Sequence, residues 1–170
     1  MSHKSMETLH NSARADHREG KFLTFSLAGE DYGIGILKIK EIIGMLPITS
    51  IPRTPPAVKG VINLRGRVIP VLDLRLQFGM EAADYTERTC IVVVEIATDS
   101  TTLCTGIVVD EVSEVVHIKP EDIADTPTFG TGIATDYILG MAKLGGRVKI
   151  LLDIDRVLRA DEVAQLKNAA

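Results

Sequence analysis

The chain contains no tryptophan, and aromatic residues make up only 4% of its 170 positions, so large rings are too few to build its core. Valine, isoleucine and leucine must supply it instead, and the β-branched residues among them favour strands. Cysteine is nearly absent as well. Cys90 and Cys104 sit in apolar, strand-like runs with no metal-ligand spacing, which reads as two buried small hydrophobes and leaves a disulfide open. A reducing cytoplasm suits that usage. The first twenty residues, MSHKSMETLHNSARADHREG, have no apolar h-region, so no secretory signal is expected. No apolar run approaches the ~18 residues of a membrane span; Glu95 breaks the best candidate, CIVVVEIA. Positive charge is not in excess either, and a net charge of −4 gives no general pull toward nucleic acid or an anionic membrane.

What is present is 45% apolar and 25% charged sequence, enough for one domain with a sizeable core or for two small subdomains. A mean hydropathy of +0.17 points to apolar surface that other proteins cover. Residues 1–19 are polar and aperiodic and read as a disordered tail. His3, His10 and His17 fall there at regular intervals, but no acidic or cysteine neighbours make them a metal site. From Lys21 the pattern changes. Leu23, Phe25 and Leu27 alternate with polar residues, then Tyr32, Ile34 and Ile36 alternate with Gly33 and Gly35, which predicts a β-hairpin with close approach or strong curvature at the glycines. LKIKEIIG is too short to assign to helix or strand. Residues 47–58 hold four prolines and predict an extended connection.

VKGVINLRGRVIPVLDL then reads as strand, glycine turn, strand, with Pro70 demoting the second strand to an edge or a bulge. Residues 88–118 read as a second hairpin with a long returning strand. After a polar connection over 119–136 comes YILGMAKLGGRVKILLDIDRVL, and then a C-terminal helix over 159–170, capped by Asp161 with Val163 and Leu166 on one face.

Placing residues 58–75 over 138–155 shows that the chain repeats itself. Gly60 meets Gly140, Leu64 meets Leu144, Gly66-Arg67-Val68 meets Gly146-Arg147-Val148, and Leu72-Asp73 meets Leu152-Asp153. Upstream, Gly33-Ile34 resembles Gly106-Ile107, and Ile39 to Ile43 resembles Val112 to Val116, so Glu41 corresponds to Glu114. A unit of about seventy residues, with five or so short strands, is therefore written twice, over 20–87 and 88–158, as in a pair of small curved barrels whose strands could be exchanged. Residues kept in both copies are candidates for fold duties. Arg65 is not kept, because Gly145 stands in its place. It is either a drifted residue on a solvated turn or a residue with a duty beyond the fold.

No constellation for catalysis assembles. There is no P-loop, and Gly33 and Gly35 lack the third glycine of a dinucleotide site. His117 follows an apolar strand as a structural or surface histidine. Asp110, Glu111 and Glu114 match no metal loop and read as a solvated strand edge. Asp73 and Asp153 recur at strand ends as turn formers. The expectation is a non-enzyme with no metal and no cofactor.

YGIGILKIKEIIG, PRTPPAVKGVINLRGRVIPVLDLR, GIVVDEVSEVVHI and YILGMAKLGGRVKILLDID, in that order, resemble the CheW-type chemotaxis coupling proteins. The resemblance runs from about Lys21 into the C-terminal helix. It implies a mainly all-β fold of two SH3-like five-stranded β-barrels packed on a hydrophobic core, with short helices. It implies a cytoplasmic, non-catalytic adaptor, recruited to membrane-associated receptor arrays. Such an adaptor binds the cytoplasmic tip of chemoreceptors and the regulatory domain of the histidine kinase CheA, itself a double barrel of the same kind. The family's receptor-contact motif falls on Ile39, Glu41, Ile42, Gly60, Asn63 and Arg65, with Val112 at the related place in the second barrel, and Glu41 and Arg65 are expected to pair. Phe129 is either an apolar anchor for the kinase or packs onto its own barrel. The rival readings are an adaptor of a parallel pathway, such as surface motility, and a small-molecule or catalytic role for the groove.

Overall fold

A computed structural model of the protein describes residues 20–130 and 135–158. The expected tail over 1–19, with His3, His10 and His17, and the expected C-terminal helix, with Asp161, Val163 and Leu166, lie outside the described residues. Strands β1 (Gly20–Leu27) and β2 (Glu30–Gly35) form the first hairpin. Its turn is Ala28-Gly29, both at positive φ (50° and 82°), the tight geometry that matches strand twist. The ambiguous LKIKEIIG resolves into a short 3-10 turn (Ile36–Lys38) and strand β3 (Ile39–Gly44). The proline-rich stretch is irregular except for one bridge, Thr49 to Val61. Strands β4 (Val58–Leu64) and β5 (Arg67–Asp73) follow, then one turn of helix, α1 (Leu74–Gln77). Strands β6 (Cys90–Ala97), β7 (Thr102–Val109) and β8 (Glu111–Ile118) come next, then the two-residue β9 (Ile123–Ala124). Strands β10 (Ile138–Leu144) and β11 (Arg147–Leu152) and helix α2 (Ile154–Leu158) close the described chain.

These strands make two mixed sheets, one in the order β8-β1-β2-β11-β10-β9 and one in the order β3-β6-β7-β5-β4. Each hairpin thus lies beside the later strands of the other copy: β2 runs parallel to β11, and β7 runs parallel to β5. The long returning strand read over 102–118 is in fact two strands in different sheets, broken at Asp110. Asp110 is also no solvated edge. Its N–H donates to the Ser26 carbonyl, and its carboxylate accepts from Arg75 and from the Ala28 N–H.

Among the described residues there are three apolar clusters. One lies within the five-stranded sheet and includes Ile62, Ile69, Val71, Ile91, Val93 and Val108. A smaller one, of Phe22, Ile118, Ala142 and Leu151, lies within the six-stranded sheet. The largest joins the two sheets, with Leu23, Phe25, Leu27, Ile34 and Leu152 from one and Leu72, Val92, Val94, Ile96 and Ile107 from the other. Alternate residues of β6 therefore face different cores, Ile91 and Val93 one and Val92, Val94 and Ile96 the other. That is why CIVVVEIA shows no polar face. The few aromatics are not spread out: Phe25, Tyr32, Phe78 and Tyr137 stack in a row at this junction, with centroids 5.9, 5.8 and 5.7 Å apart. Rings do contribute to the core after all, in this row and through Phe22 in the smaller cluster.

Two strand glycines answer the curvature reading. A Cβ on Gly106 would stand 2.7 Å from Ile91 Cγ2, and one on its counterpart Gly33 would stand 3.0 Å from Leu151 Cδ2, so neighbouring side chains fill the space above each. Pro70 departs from expectation, since β5 is an interior strand. Its pairing with β7 begins only at Val71, so at Pro70 only β4 lies alongside and the missing N–H is not needed. Asp73 caps α1, accepting from the N–H groups of Arg75 (3.0 Å) and Leu76 (3.4 Å).

Gly60 and Gly66 both have positive φ, 140° and 85°, but for different reasons. A Cβ on Gly60 would lie 2.0 Å from the Thr49 carbonyl oxygen, whereas Gly66 has open space around it. Urea unfolding should therefore show Gly60→Ala losing more than about 2 kcal/mol, because backbone must move. Gly66→Val should lose about 1–2 kcal/mol, from left-handed strain alone. Equal losses would mean that the Thr49 contact does not govern Gly60.

Candidate functional site

Strands β3 and β4 are the two outer strands of the five-stranded sheet, and the outer edge of β4 carries the Thr49–Val61 bridge. A side-chain contact reaches from β3 to the turn after β4. Glu41 projects from β3, and Arg65 sits in the turn between β4 and β5. The guanidinium donates two hydrogen bonds to the carboxylate, Nη1 to Oε1 at 2.8 Å and Nη2 to Oε2 at 2.9 Å. Such a two-pronged pair fixes the plane of the guanidinium as well as its position. The Arg65 side chain keeps 71% of its surface exposed, against 28% for Glu41, so the arginine is held in place while facing solvent.

The turn beneath it explains why Arg65 is an unusual choice. Arg65 and Gly66 have φ of 51° and 85°, and the matching Gly145 and Gly146 have 58° and 78°. Both copies thus use the same tight turn, with both central residues left-handed, a conformation that an L side chain adopts at a cost of roughly 1–2 kcal/mol. The second copy takes glycine there. The first keeps an arginine against that strain. Asn63 braces the same turn, its Oδ1 accepting from the Gly66 N–H at 2.8 Å.

Two apolar residues near the pair in sequence are exposed. Ile42, next to Glu41 on β3, is 45% exposed, and Val68, just after the turn, is 71% exposed. Their counterparts Val115 and Val148 are exposed too, each at 50%. Val68 is a correction to the logic of the repeat: recurrence in both copies marked it for the fold, yet it lies outside every core. The signal was present, because a valine kept twice beside a solvated turn has no packing duty there. Leu37, on the 3-10 turn before β3, is 96% exposed beside a cleft of about 490 Å³ and was not singled out from sequence.

Of the residues singled out in advance, the structure brings together Glu41, Arg65 and Asn63, with Ile42 adjacent on its strand. Ile39 is half-buried and packs on the cluster between the sheets. Gly60 is buried beneath Thr49 and presents no surface. Val112 stands in the other sheet, opposite Phe25 and half-buried against the shared cluster. Phe129, on the connection before β10, is 52% exposed. In the second copy no counterpart pair forms, because Gly145 offers no side chain. Glu114 is instead clasped through its backbone, its carbonyl accepting from Thr24 Oγ1 (2.8 Å) and its N–H donating to the same oxygen (3.2 Å).

The hydrogen bonds from Arg65 hold the Glu41 carboxyl below its ordinary range, and those same bonds raise Arg65. The sign follows. A carboxylate with a depressed folded-state value contributes stability above its unfolded value and loses it as pH falls through the folded one. A carbon-detected NMR titration should place the Glu41 midpoint lower in the native protein than in Arg65→Ala. An unmoved midpoint would mean that the pair is not populated in solution.

Against known proteins, residues 21–162 match the model of the CheW-like domain. The chain is 41% identical over 150 residues to Chemotaxis protein CheW of Klebsiella aerogenes, covering 88% of each chain. It is 31% identical over 142 residues to Chemotaxis protein CheW of Rhizobium meliloti, covering 84% of this chain and 89% of that one. The crystal structure of the scaffolding protein TtCheW from Thermoanaerobacter tengcongensis superposes with a TM-score of 0.73 at 34% identity, over 85% of this chain and 95% of that one. With the repeated mixed sheets and the Glu41–Arg65 pair already in place, these likenesses leave one conclusion: the chain belongs to the CheW family.

Proposed function

We propose that the protein is a non-enzymatic adaptor that couples chemoreceptors to the histidine kinase CheA. The observation that carries the reading is Arg65, a charged residue kept in a left-handed turn position that the second copy fills with glycine, and aimed at solvent by Glu41. Among the described residues no contact explains why that guanidinium faces outward, which supports a partner as the reason. The receptor's helical cytoplasmic tip would lay an apolar stripe on Ile42 and Val68 and set polar groups against Arg65. As the apolar contacts exclude water, the hydrogen bonds beside them strengthen. Glu41 pre-orients the guanidinium, so less freedom is lost when the partner arrives.

The kinase's regulatory domain would take a different part of the surface, with Phe129 as the apolar anchor; its half exposure favours that role over packing inward. Among the described residues no helix is long and apolar enough to cross a membrane. Cytoplasmic residence, with recruitment to receptor arrays through the receptor itself, accords with that. A second reading, an adaptor of a parallel chemosensory pathway, is favoured by one likeness: the chain is 29% identical over 143 residues to Protein FrzA of Myxococcus xanthus, covering 83% of this chain and 86% of that one. The same surface chemistry would then meet a different set of receptors.

Calorimetry with a receptor cytoplasmic fragment and with CheA tests both. Wild-type protein should bind each partner. Arg65→Gly, which copies the turn of the second unit, should keep the melting temperature within a few degrees while weakening receptor binding about ten-fold or more. Arg65→Asp should weaken it further, because the reversed charge also repels Glu41. Receptor affinity unchanged in both variants would reduce Arg65 to a turn residue.

A further inference from the structure

Two ion pairs away from the candidate site occupy corresponding places in the two copies with their charges reversed. In the first, Arg75 of α1 donates Nε to Asp110 Oδ1 (2.7 Å) and Nη2 to Oδ2 (2.6 Å), and Oδ2 also accepts from the Ala28 N–H (2.8 Å). In the second, Asp155 of α2 meets Lys38 Nζ through Oδ2 (2.6 Å), and its Oδ1 accepts from the Ala97 N–H (2.9 Å). The correspondence is positional. Arg75 and Asp155 each stand two residues after the equivalent Asp73 and Asp153. Ala28 and Ala97 each stand four residues after the partner of an equivalent glycine, Thr24 opposite Gly33 and Val93 opposite Gly106. Asp110 and Lys38 both lie on the links that carry the chain from one sheet to the other, between β7 and β8 and between β2 and β3.

Each tie therefore gathers three parts: a link entering a sheet, the tip of the hairpin already in that sheet, and the helix that leaves the other sheet. In both, the carboxylate takes the hairpin N–H. What differs is whether the carboxylate comes from the link or from the helix. The chain has thus built the same junction with both polarities. The side chains are partly screened from solvent: 21% and 30% exposed for Arg75 and Asp110, 40% and 27% for Lys38 and Asp155. Burial alone would push the Asp110 carboxyl up, but the bonds from Arg75 and Ala28 outweigh it and hold the group below its ordinary value.

We propose that these two ties are locks on the links between the sheets, which fix the sheets' mutual angle and so hold the receptor-facing and kinase-facing surfaces as one rigid body. Coupling then depends on residues that touch neither partner. The functional half of this inference rests on the adaptor reading, whereas the structural half does not.

Amide hydrogen exchange on the full chain reads the structural half. Asp110→Lys places two cations together and removes the acceptor of Ala28. It should speed exchange at Ala28 about ten-fold or more and leave Ala97, in the intact tie, unchanged. Asp110→Lys with Arg75→Asp rebuilds the first tie with the polarity of the second and should restore protection at Ala28. Asp110→Ala, which removes the acceptor without adding a cation, should show the same local loss if the lysine variant does not fold. Unaltered exchange at Ala28, equal acceleration at Ala28 and Ala97, or no restoration in the double variant would overturn the lock. In reconstituted receptor–adaptor–kinase mixtures, Asp110→Ala should keep each separate affinity within about two-fold while receptor control of the kinase falls several-fold. Intact control with Ala28 unprotected would overturn the functional half. If wild-type protein bound neither partner, the adaptor reading would fail while the exchange result stood.

Discussion

The shared apolar seam between the two sheets is the constraint on which the rest of the molecule depends. Leu23, Phe25 and Ile34 on one side and Val92, Val94 and Ile107 on the other are almost wholly withdrawn from solvent, and burial of each such side chain is worth about 1.5–3 kcal/mol. No surface ion pair competes with that sum. The seam also dictates the local sequence. Strand β6 must be apolar on both faces, one for the seam and one for the sheet's own cluster, and Gly106 on β7 and Gly33 on β2 must clear space for Ile91 and Leu151. With the interior committed in this way, polar specificity is left to turns, links and outer strands. The Glu41–Arg65 pair and the ties at Asp110 and Asp155 are found there.

The division of labour between copies follows from the same constraint. Each copy must supply a hairpin, an outer strand, a strand–turn–strand unit and a capping aspartate, since the seam cannot close without two matched halves. Asp73 shows how strict this is: it is buried, caps α1 through two backbone N–H groups and accepts from Tyr85 Oη at 3.2 Å. Burial and the nearby Asp73 carboxylate push the Tyr85 hydroxyl up to about 12, so it stays a donor through the neutral range. By contrast, the turn residues 65 and 145 face outward and are free to differ. One became an arginine with a carboxylate partner and the other stayed glycine.

Local features were legible in the sequence because their causes are local. The Ala28-Gly29 and Arg65-Gly66 turns, the alternating first hairpin and the irregular proline-rich stretch each follow from the residues within a few positions. The pairing of Glu41 with Arg65 came from family resemblance and not from spacing, since 24 residues separate them. What escaped was set by topology. Arg75 and Asp110 meet across 35 positions, so Asp110 looked like one more acid on a solvated edge. The break at that residue was hidden because β7 and β8 follow each other with only Asp110 between them, and nothing local says that the two belong to different sheets. Pro70 misled for a similar reason, since whether a strand is interior depends on where its second neighbour begins. Val68 misled through the repeat itself, which reports what two copies share and not whether it is buried.

The shared and unshared residues at the two outward turns also separate two components of recognition. Ile42 and Val68 in one copy, and Val115 and Val148 in the other, give each sheet an exposed apolar pair at the same place. Apolar contact of this kind favours association without choosing strongly among partners. The charges beside the pairs do choose, because a partner that buries a guanidinium without pairing it is penalised more than a fitting one is rewarded. A frame duplicated for the sake of its core thereby carries two similar adhesive patches. The single arginine, held against backbone strain in one copy and replaced by glycine in the other, makes those patches unequal.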